Sequence, residues 1–179
     1  MGHVPTDVAP DVRSRSYTIE AHVEIDGGGS EGVLISHGDA TSGYSLYIKD
    51  GFLVHDLNIG GGHEIVKSDR KVPAGAHRLG VHVERLVRKE PPARGSRTGV
   101  SEYTLLIDGE PAGSIQTQLG FHNFISWSGL DIGRDRGSPV SHYDAPFEFT
   151  GKLLLVTVRM HDDQKLDGEG VGNAAMARQ

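Results

Sequence analysis

From Tyr17 to Ile25 the chain alternates without a break: Tyr17, Ile19, Ala21, Val23 and Ile25 are apolar, and Thr18, Glu20, His22 and Glu24 between them are polar. Successive side chains of an extended backbone point to opposite faces, so a period of two sets one apolar face against a core and one polar face toward water. This predicts a half-buried strand. The pattern returns at 44–49, where Tyr44, Leu46 and Ile48 alternate with Ser45, Tyr47 and Lys49. It returns again at 77–84, where His77, Leu79, Val81 and Val83 alternate with Arg78, Gly80, His82 and Glu84.

The punctuation agrees with the strands. Asp50 with Gly51, and Asp108 with Gly109, are the residue pairs that a two-residue hairpin turn favours, because both central positions need positive φ. Val33, Leu34 and Ile35 form a short run that is apolar on both faces, before a loop at 38–43, and Glu64 to Ser68 reads as a further short strand. Tyr103, Leu105 and Ile107 lead into the second hairpin, and 112–117 returns from it, with Pro111 at a strand start or edge, where its missing N–H costs least. The last strands fall at 129–133 and within 147–160, where Leu153, Leu154, Leu155 and Val156 read as a central strand. The 25 glycines cluster between apolar stretches, as frequent turns require. No window carries a capped 3.6-residue apolar period, so the chain is expected to be all-β. About ten to twelve strands joined by hairpins predict a two-sheet antiparallel β-sandwich.

The 179 residues are enough for one domain, and the expected layout is a flexible N-terminal segment at 1–12, the sandwich at 13–160 and a flexible tail at 161–179. Residues 85–98 break the strand pattern with Arg85, Arg88, Lys89, Arg94 and Arg97 among prolines and glycines, and read as a long exposed loop. A net charge of -6 opposes contact with nucleic acid, whose binders displace counterions with Lys and Arg. There is no cysteine, hence no disulfide, thiolate metal site or cysteine nucleophile. Residues 1–13 show no apolar signal-peptide core, and no apolar run is long enough to span a bilayer, so no membrane contact is expected. The compartment is left open, with the cytoplasm favoured by that missing signal.

Several segments form an ordered series: Arg15, Ser16, Tyr17, Thr18, Ile19; then Glu31, Gly32, Val33, Leu34, Ile35; then Gly43 through Gly51; then Pro73, Ala74, Gly75, Ala76, His77. Leu130, Asp131, Ile132, Gly133, Arg134 and Asp135 follow, then Gly137, Ser138, Pro139 and Val140, and finally Pro146 through Gly151. Together, over roughly 13–160, they resemble the C-terminal accessory domain of long bacterial arylsulfatases, a laminin-G or concanavalin-A-like jelly roll. The resemblance implies a domain that partners a sulfatase catalytic domain, in cis or in trans. The chain is expected to depart from that family in two places, its arginine-rich loop and the absence of a preceding catalytic domain. Sulfatases resemble one another in a cysteine or serine two before a proline and four before an arginine. Ser138 and Pro139 have the wrong spacing, so sulfate-ester hydrolysis has no residue to carry it.

The candidate binding residues divide by chemistry. Trp127 and Tyr143, with Phe121, Phe124 and Phe147, are a possible sugar-stacking platform or the lid of a core. Arg94 and Arg97, with Arg88, suit an anionic ligand or a merely solvated loop. Asp131, Asp135 and Asp144, with the oxygens of Ser138 and Ser141, have the hard-oxygen character of a rim calcium site, as in some laminin-G relatives. The structural alternative is an Arg134–Asp135 ion pair pinning a long loop. Glu20 and Glu24 share a strand face but lack the spacing of a glycosidase pair and read as solvent-facing. The ten histidines read as scattered surface residues rather than zinc ligands, and Tyr47 reads as exposed. Three functions are therefore expected to compete: a non-catalytic sulfatase accessory domain that needs no cofactor, a carbohydrate-binding lectin-like module, and a glycan hydrolase or lyase.

Overall fold

The computed structural model describes residues 2–86, 100–118 and 125–164. In chain order the strands are β1 (Gly2–Val4), β2 (Tyr17–Ile25), β3 (Gly32–Asp39), β4 (Ser42–Lys49), β5 (Phe52–Ile59), β6 (Gly62–Lys71), β7 (Gly75–Leu86), β8 (Val100–Ile107), β9 (Glu110–Thr117), β10 (Leu130–Ile132) and β11 (Lys152–Met160). They form two antiparallel sheets, one ordered β1-β10-β3-β4-β5-β6 and the other β11-β2-β7-β8-β9. A single 3-10 turn, Thr6–Val8, is the one helical element among the described residues.

The period of two is realised directly. In β2 the apolar set Tyr17, Ile19, Ala21, Val23 and Ile25 is buried, and the polar set between is half-exposed. It meets Leu79, Val81, Val83 and Leu105 of its own sheet, and Leu34, Leu46, Ile48, Leu53 and Leu57 from the facing one, in one continuous core. Both hairpins form at the expected pairs, with Asp50 and Gly51 at φ 54° and 80° and Asp108 and Gly109 at 55° and 85°. Pro111 lies on β9, the outer strand of the five-stranded sheet.

Several expectations are corrected. β3 and β4 are longer than the short run and loop imply: Gly38 pairs with Gly43 across the ladder, and a Cβ on Gly38, whose φ is 101°, would run into the Ser42 carbonyl. The run at 153–156 is an edge, not a centre. Among the described residues β11 pairs on one side only, with β2, and Leu154 and Leu155, at a bulge between Leu153 and Leu155, are 53% and 52% exposed. The segment expected to be flexible at 1–12 contains β1, which pairs with β10, and the 3-10 turn. The start of the tail is held as well, because Ser16 donates to Asp163 from its N–H (2.8 Å) and its hydroxyl (2.6 Å).

Residues 133–149 fold back over the outer face of β3, β4 and β5. Tyr143 and Phe147 pack there on Val33, Tyr47 and Val54 as a second small core. Tyr47 is therefore buried, not an exposed contact point. Asn58 Nδ2, under this cover, donates to the carbonyls of Ala40 and Val140, both at 3.0 Å. Tyr47 Oη lies 3.0 Å from Ser141 Oγ.

Candidate functional site

One end of the sandwich is closed by the chain from β1 to Arg13 together with residues 125–129. Thr6 joins the two: its hydroxyl donates to the Ser126 carbonyl (3.4 Å) and accepts the Gly129 N–H (3.1 Å). The β3–β4 turn supplies the anchor. Asp39 accepts both Thr41 groups, the Ser126 hydroxyl and the Ser128 hydroxyl. Burial alone would raise the Asp39 pKa, but these bonds from Ser126, Thr41 and Ser128 outweigh it and hold the carboxyl at about 2. Trp127, between the two anchored serines, stands 47% exposed at this rim.

Beneath the rim lies a cavity of about 200 Å³, walled by Thr6, Asp7, Ala9, Pro10, Asp11, Arg13, His37 and Ile125. Arg13 grips Asp11 in a two-point fork, Nε to Oδ1 at 2.7 Å and Nη2 to Oδ2 at 2.9 Å. Burial works to raise Asp11, yet its hydrogen bonds, chiefly from Arg13, bring it to about 2. His37 closes the cavity from the core side. It is 2% exposed, both ring nitrogens are closed to solvent, and neither has a hydrogen-bond partner among the described residues. Burial lowers its pKa to about 4 against a small opposing pull from Asp11, so the ring is neutral at neutral pH. Behind it polar aromatic rings continue into the core, His37 to Tyr44 at 5.6 Å, Tyr44 to His55 at 6.4 Å and His55 to Tyr103 at 5.1 Å.

The residues expected to form a site are not brought together. Tyr143 is buried on the covered outer face, its hydroxyl donating to Asp135 at 2.7 Å and lying 2.9 Å from Ser45 Oγ. It shares no surface platform with Trp127. Arg88, Arg94, Arg97, Phe121 and Phe124 lie outside the described residues. Among the three aspartates, Asp131 bonds His3 (2.9 Å) and the Arg136 side chain (2.9 Å) and backbone (3.0 Å). Asp135 is buried on Tyr143 and the Val140 N–H, and Asp144 is exposed. No group of three or more His, Cys, Asp or Glu suited to a metal ion occurs among the described residues. The expected Arg134–Asp135 pair is replaced: Arg134 reaches Glu148 at 3.4 Å, while Asp135 turns inward. Glu20 and Glu24 pair with His22 and Lys152 at the surface.

Sequence reasoning missed His37, Asp11, Arg13 and Thr6. The histidines are not all superficial, since His37 is buried and His55 is 0% exposed. His55 was open to detection, because it shares the parity of Leu53 and Leu57, which face the core. His37 was not: a bulge between Val33 and Ile35 shifts the parity of β3, and a run apolar on both faces conceals it.

No protein-family model and no curated protein matches this chain. The sulfatase likeness therefore stays with the quoted segments alone. Among solved structures, the CBM40 carbohydrate-binding module of the Ruminococcus gnavus IT-sialidase, bound to α2,3-sialyllactose, is similar with a TM-score of 0.57 and 13% identity, over 96% of this chain and 90% of that one. Domains LG4-5 of the mouse laminin α1 chain give a TM-score of 0.59 at 16% identity, over 93% of this chain and 40% of that one. The leech intramolecular trans-sialidase gives 0.54 at 12%, over 89% of this chain and 23% of that one. At such identities these likenesses show the fold: a laminin-G-like or concanavalin-A-like β-sandwich.

Proposed function

We propose that this chain is a non-catalytic carbohydrate-binding module whose contact region is the rim made by residues 2–13 and 125–129. The observation that carries this reading is the rim cavity itself. It combines a fixed charged fork (Arg13 and Asp11), a hydroxyl (Thr6) and a buried imidazole (His37) with apolar walls at Ile125 and Ala9, and Trp127 stands exposed in the same loop. Sugars need this mixture: polar groups that converge on hydroxyls, and apolar or aromatic surface for the C–H faces of the ring. The architecture shared with a sialidase CBM40 and with a trans-sialidase supports it. A glycan array probed with the full chain, followed by calorimetry on the hits, tests the reading. Binding is expected to weaken about three- to tenfold in Trp127→Ala, the size of one aromatic contact. Absence of binding to any glycan at millimolar concentration overturns it.

A second reading, docking onto a sulfatase-type catalytic domain, is favoured by the edge of β11, where Leu154, Leu155 and Met160 are exposed on a strand that pairs only with β2 among the described residues. Co-elution of the chain with such a domain, lost in Leu154→Lys, would support it. Separate elution at high micromolar concentration rejects it in trans.

A further inference from the structure

The two edges of the five-stranded sheet end differently. β9 is closed against β6 of the facing sheet, where Arg70 Nη1 donates to the Pro111 carbonyl at 3.1 Å and a Cβ on Gly113 would lie 3.0 Å from the Lys67 carbonyl oxygen. β11 lies instead beside an apolar groove of about 550 Å³, whose walls include Ile132, Phe149, Leu153 and Val156. Leu154, Leu155 and Met160 stand exposed on this strand.

The parity of the ladder tells which backbone groups of β11 are free. Met160 stands opposite Tyr17, and the His161 N–H donates to the Ser16 carbonyl, so the register with β2 continues to His161 and Ser16. In an antiparallel pair the hydrogen-bonded positions recur at every second residue. This assigns the N–H and C=O groups of Arg159 and Thr157 to β2 and turns those of Val156, Val158 and Met160 outward. The bulge lies between Leu153 and Leu155, so 156–160 is a regular strand with an open row of donors and acceptors among the described residues. The chain that follows does not cover this row: Asp163 is held at Ser16 and Gln164 at Arg13, both ahead of β2.

The row is complementary to itself. Two copies of β11 laid antiparallel about a two-fold axis at Val158 join Val156 to Met160 of the partner subunit, and Val158 to the partner subunit's Val158, through the outward groups. The side chains then match on both faces. Val156 and Val158 pack on the core side, so Met160 of the partner subunit falls beside Val156, at the groove. On the outer side Thr157 stands between Glu20 of β2 and the partner subunit's Arg159, which are two strand spacings or about 10 Å apart, a gap that an arginine and a glutamate side chain together span. Arg159 forms no ion pair among the described residues, and Glu20 engages His22 through Oε1 alone (2.9 Å), which leaves Oε2 to receive a guanidinium. The two-fold axis makes this pair twice.

We infer that a second copy of this chain docks on the free edge of β11 and joins the two five-stranded sheets into one continuous sheet, with Met160 of each copy at the groove of the other and Arg159 of each on the other's Glu20. The inference is independent of the carbohydrate-binding reading.

Sedimentation velocity on the full chain, from low to high micromolar concentration, tests it. A species of twice the 19.2 kDa of one chain is expected to grow with concentration. In that species the amide protons of Val156, Val158 and Met160 are expected to exchange more slowly than in the monomer, while those of Thr157 and Arg159, already bonded to β2, change little. Val158→Pro removes an outward N–H and no bond of the chain's own ladder, and is expected to leave only monomer. Arg159→Glu is expected to weaken the dimer about tenfold or more, by setting like charges against each other twice, and Glu20→Arg added to it is expected to restore the affinity. A chain that stays monomeric at high micromolar concentration overturns the inference. So does a dimer whose affinity is unchanged in Arg159→Glu and whose outward amides stay unprotected, because another surface then holds it. A monomer that co-elutes with a sulfatase-type catalytic domain also overturns it and gives the edge to that domain. If Val158→Pro does not fold, the exposed Arg159→Glu and its restoration by Glu20→Arg decide.

Discussion

The two faces of the six-stranded sheet bury polar groups in different surroundings. The outer face of β3, β4 and β5 carries Ser45, Tyr47 and Asn58 under the cover of residues 133–149, and each has a partner within 3.0 Å. Even Asp135, whose carboxyl is raised by burial, is held by Tyr143 and the Val140 N–H. The inner face is apolar around Leu34, Leu46 and Leu57, yet it holds His37 and His55 with both ring nitrogens unmatched. One outer-face atom stays unmatched as well, Asp56 Oδ1, while Asp56 Oδ2 lies 2.7 Å from His63 Nδ1. The contact region proposed above lies at the rim rather than under the loop, where the aspartates and Tyr143 had pointed.

Acid should separate the two faces most strongly. His37 sits at about 4 and His55 at about 3, below the ordinary value near 6.5, because burial disfavours their cations. Between these values the unfolded chain binds more protons than the folded one, so stability is full above about pH 6.5 and is lost as pH falls toward 4. A loss of several kcal/mol is expected across that window, at about 1.4 kcal/mol per pH unit for each group. Asp11 and Asp39, held at about 2, contribute stability above the ordinary carboxylate range and lose it only at lower pH, while the raised Asp135 acts in the opposite sense. Urea midpoints at pH 7, 5.5 and 4.5 measure the slope, and His55→Phe should flatten it. A flat profile in the unaltered chain would remove the distinction between the faces.

Next in size is the inner face itself. Leu46→Ala is expected to cost about 2–5 kcal/mol in urea unfolding, because it empties a fully buried site between the sheets. On the outer face Tyr143→Phe should cost less, about 1–3 kcal/mol, by stripping a donor from buried Asp135. It should leave glycan binding intact. Loss of binding with retained stability would move the site under the loop. The smallest effect is expected at the surface, where Glu24→Gln, which breaks the exposed pair with Lys152, should change stability by less than about 1 kcal/mol.

Local pattern alone was enough for the all-β class, the half-buried face of β2, both Asp-Gly hairpins and the edge position of Pro111, because each depends on neighbours in sequence: side-chain alternation, positive φ, a missing N–H. The parity of Leu53, His55 and Leu57 also held the burial of His55 in plain view. Other features depend on which strand lies alongside which, and no local pattern encodes that. Leu153 to Val156 is as apolar as a central strand, but among the described residues only β2 lies alongside β11, so β11 is an edge. Asp131, Asp135 and Asp144 are close in sequence, yet two turn to separate partners and the third to solvent. The rim cavity joins Thr6, Asp11, Arg13, His37 and Ile125 across more than a hundred residues of chain. Only the closure of one end of the sandwich by the N-terminal segment brings those groups to one space, and it is the long-range pairing of β1 with β10 that fixes this closure.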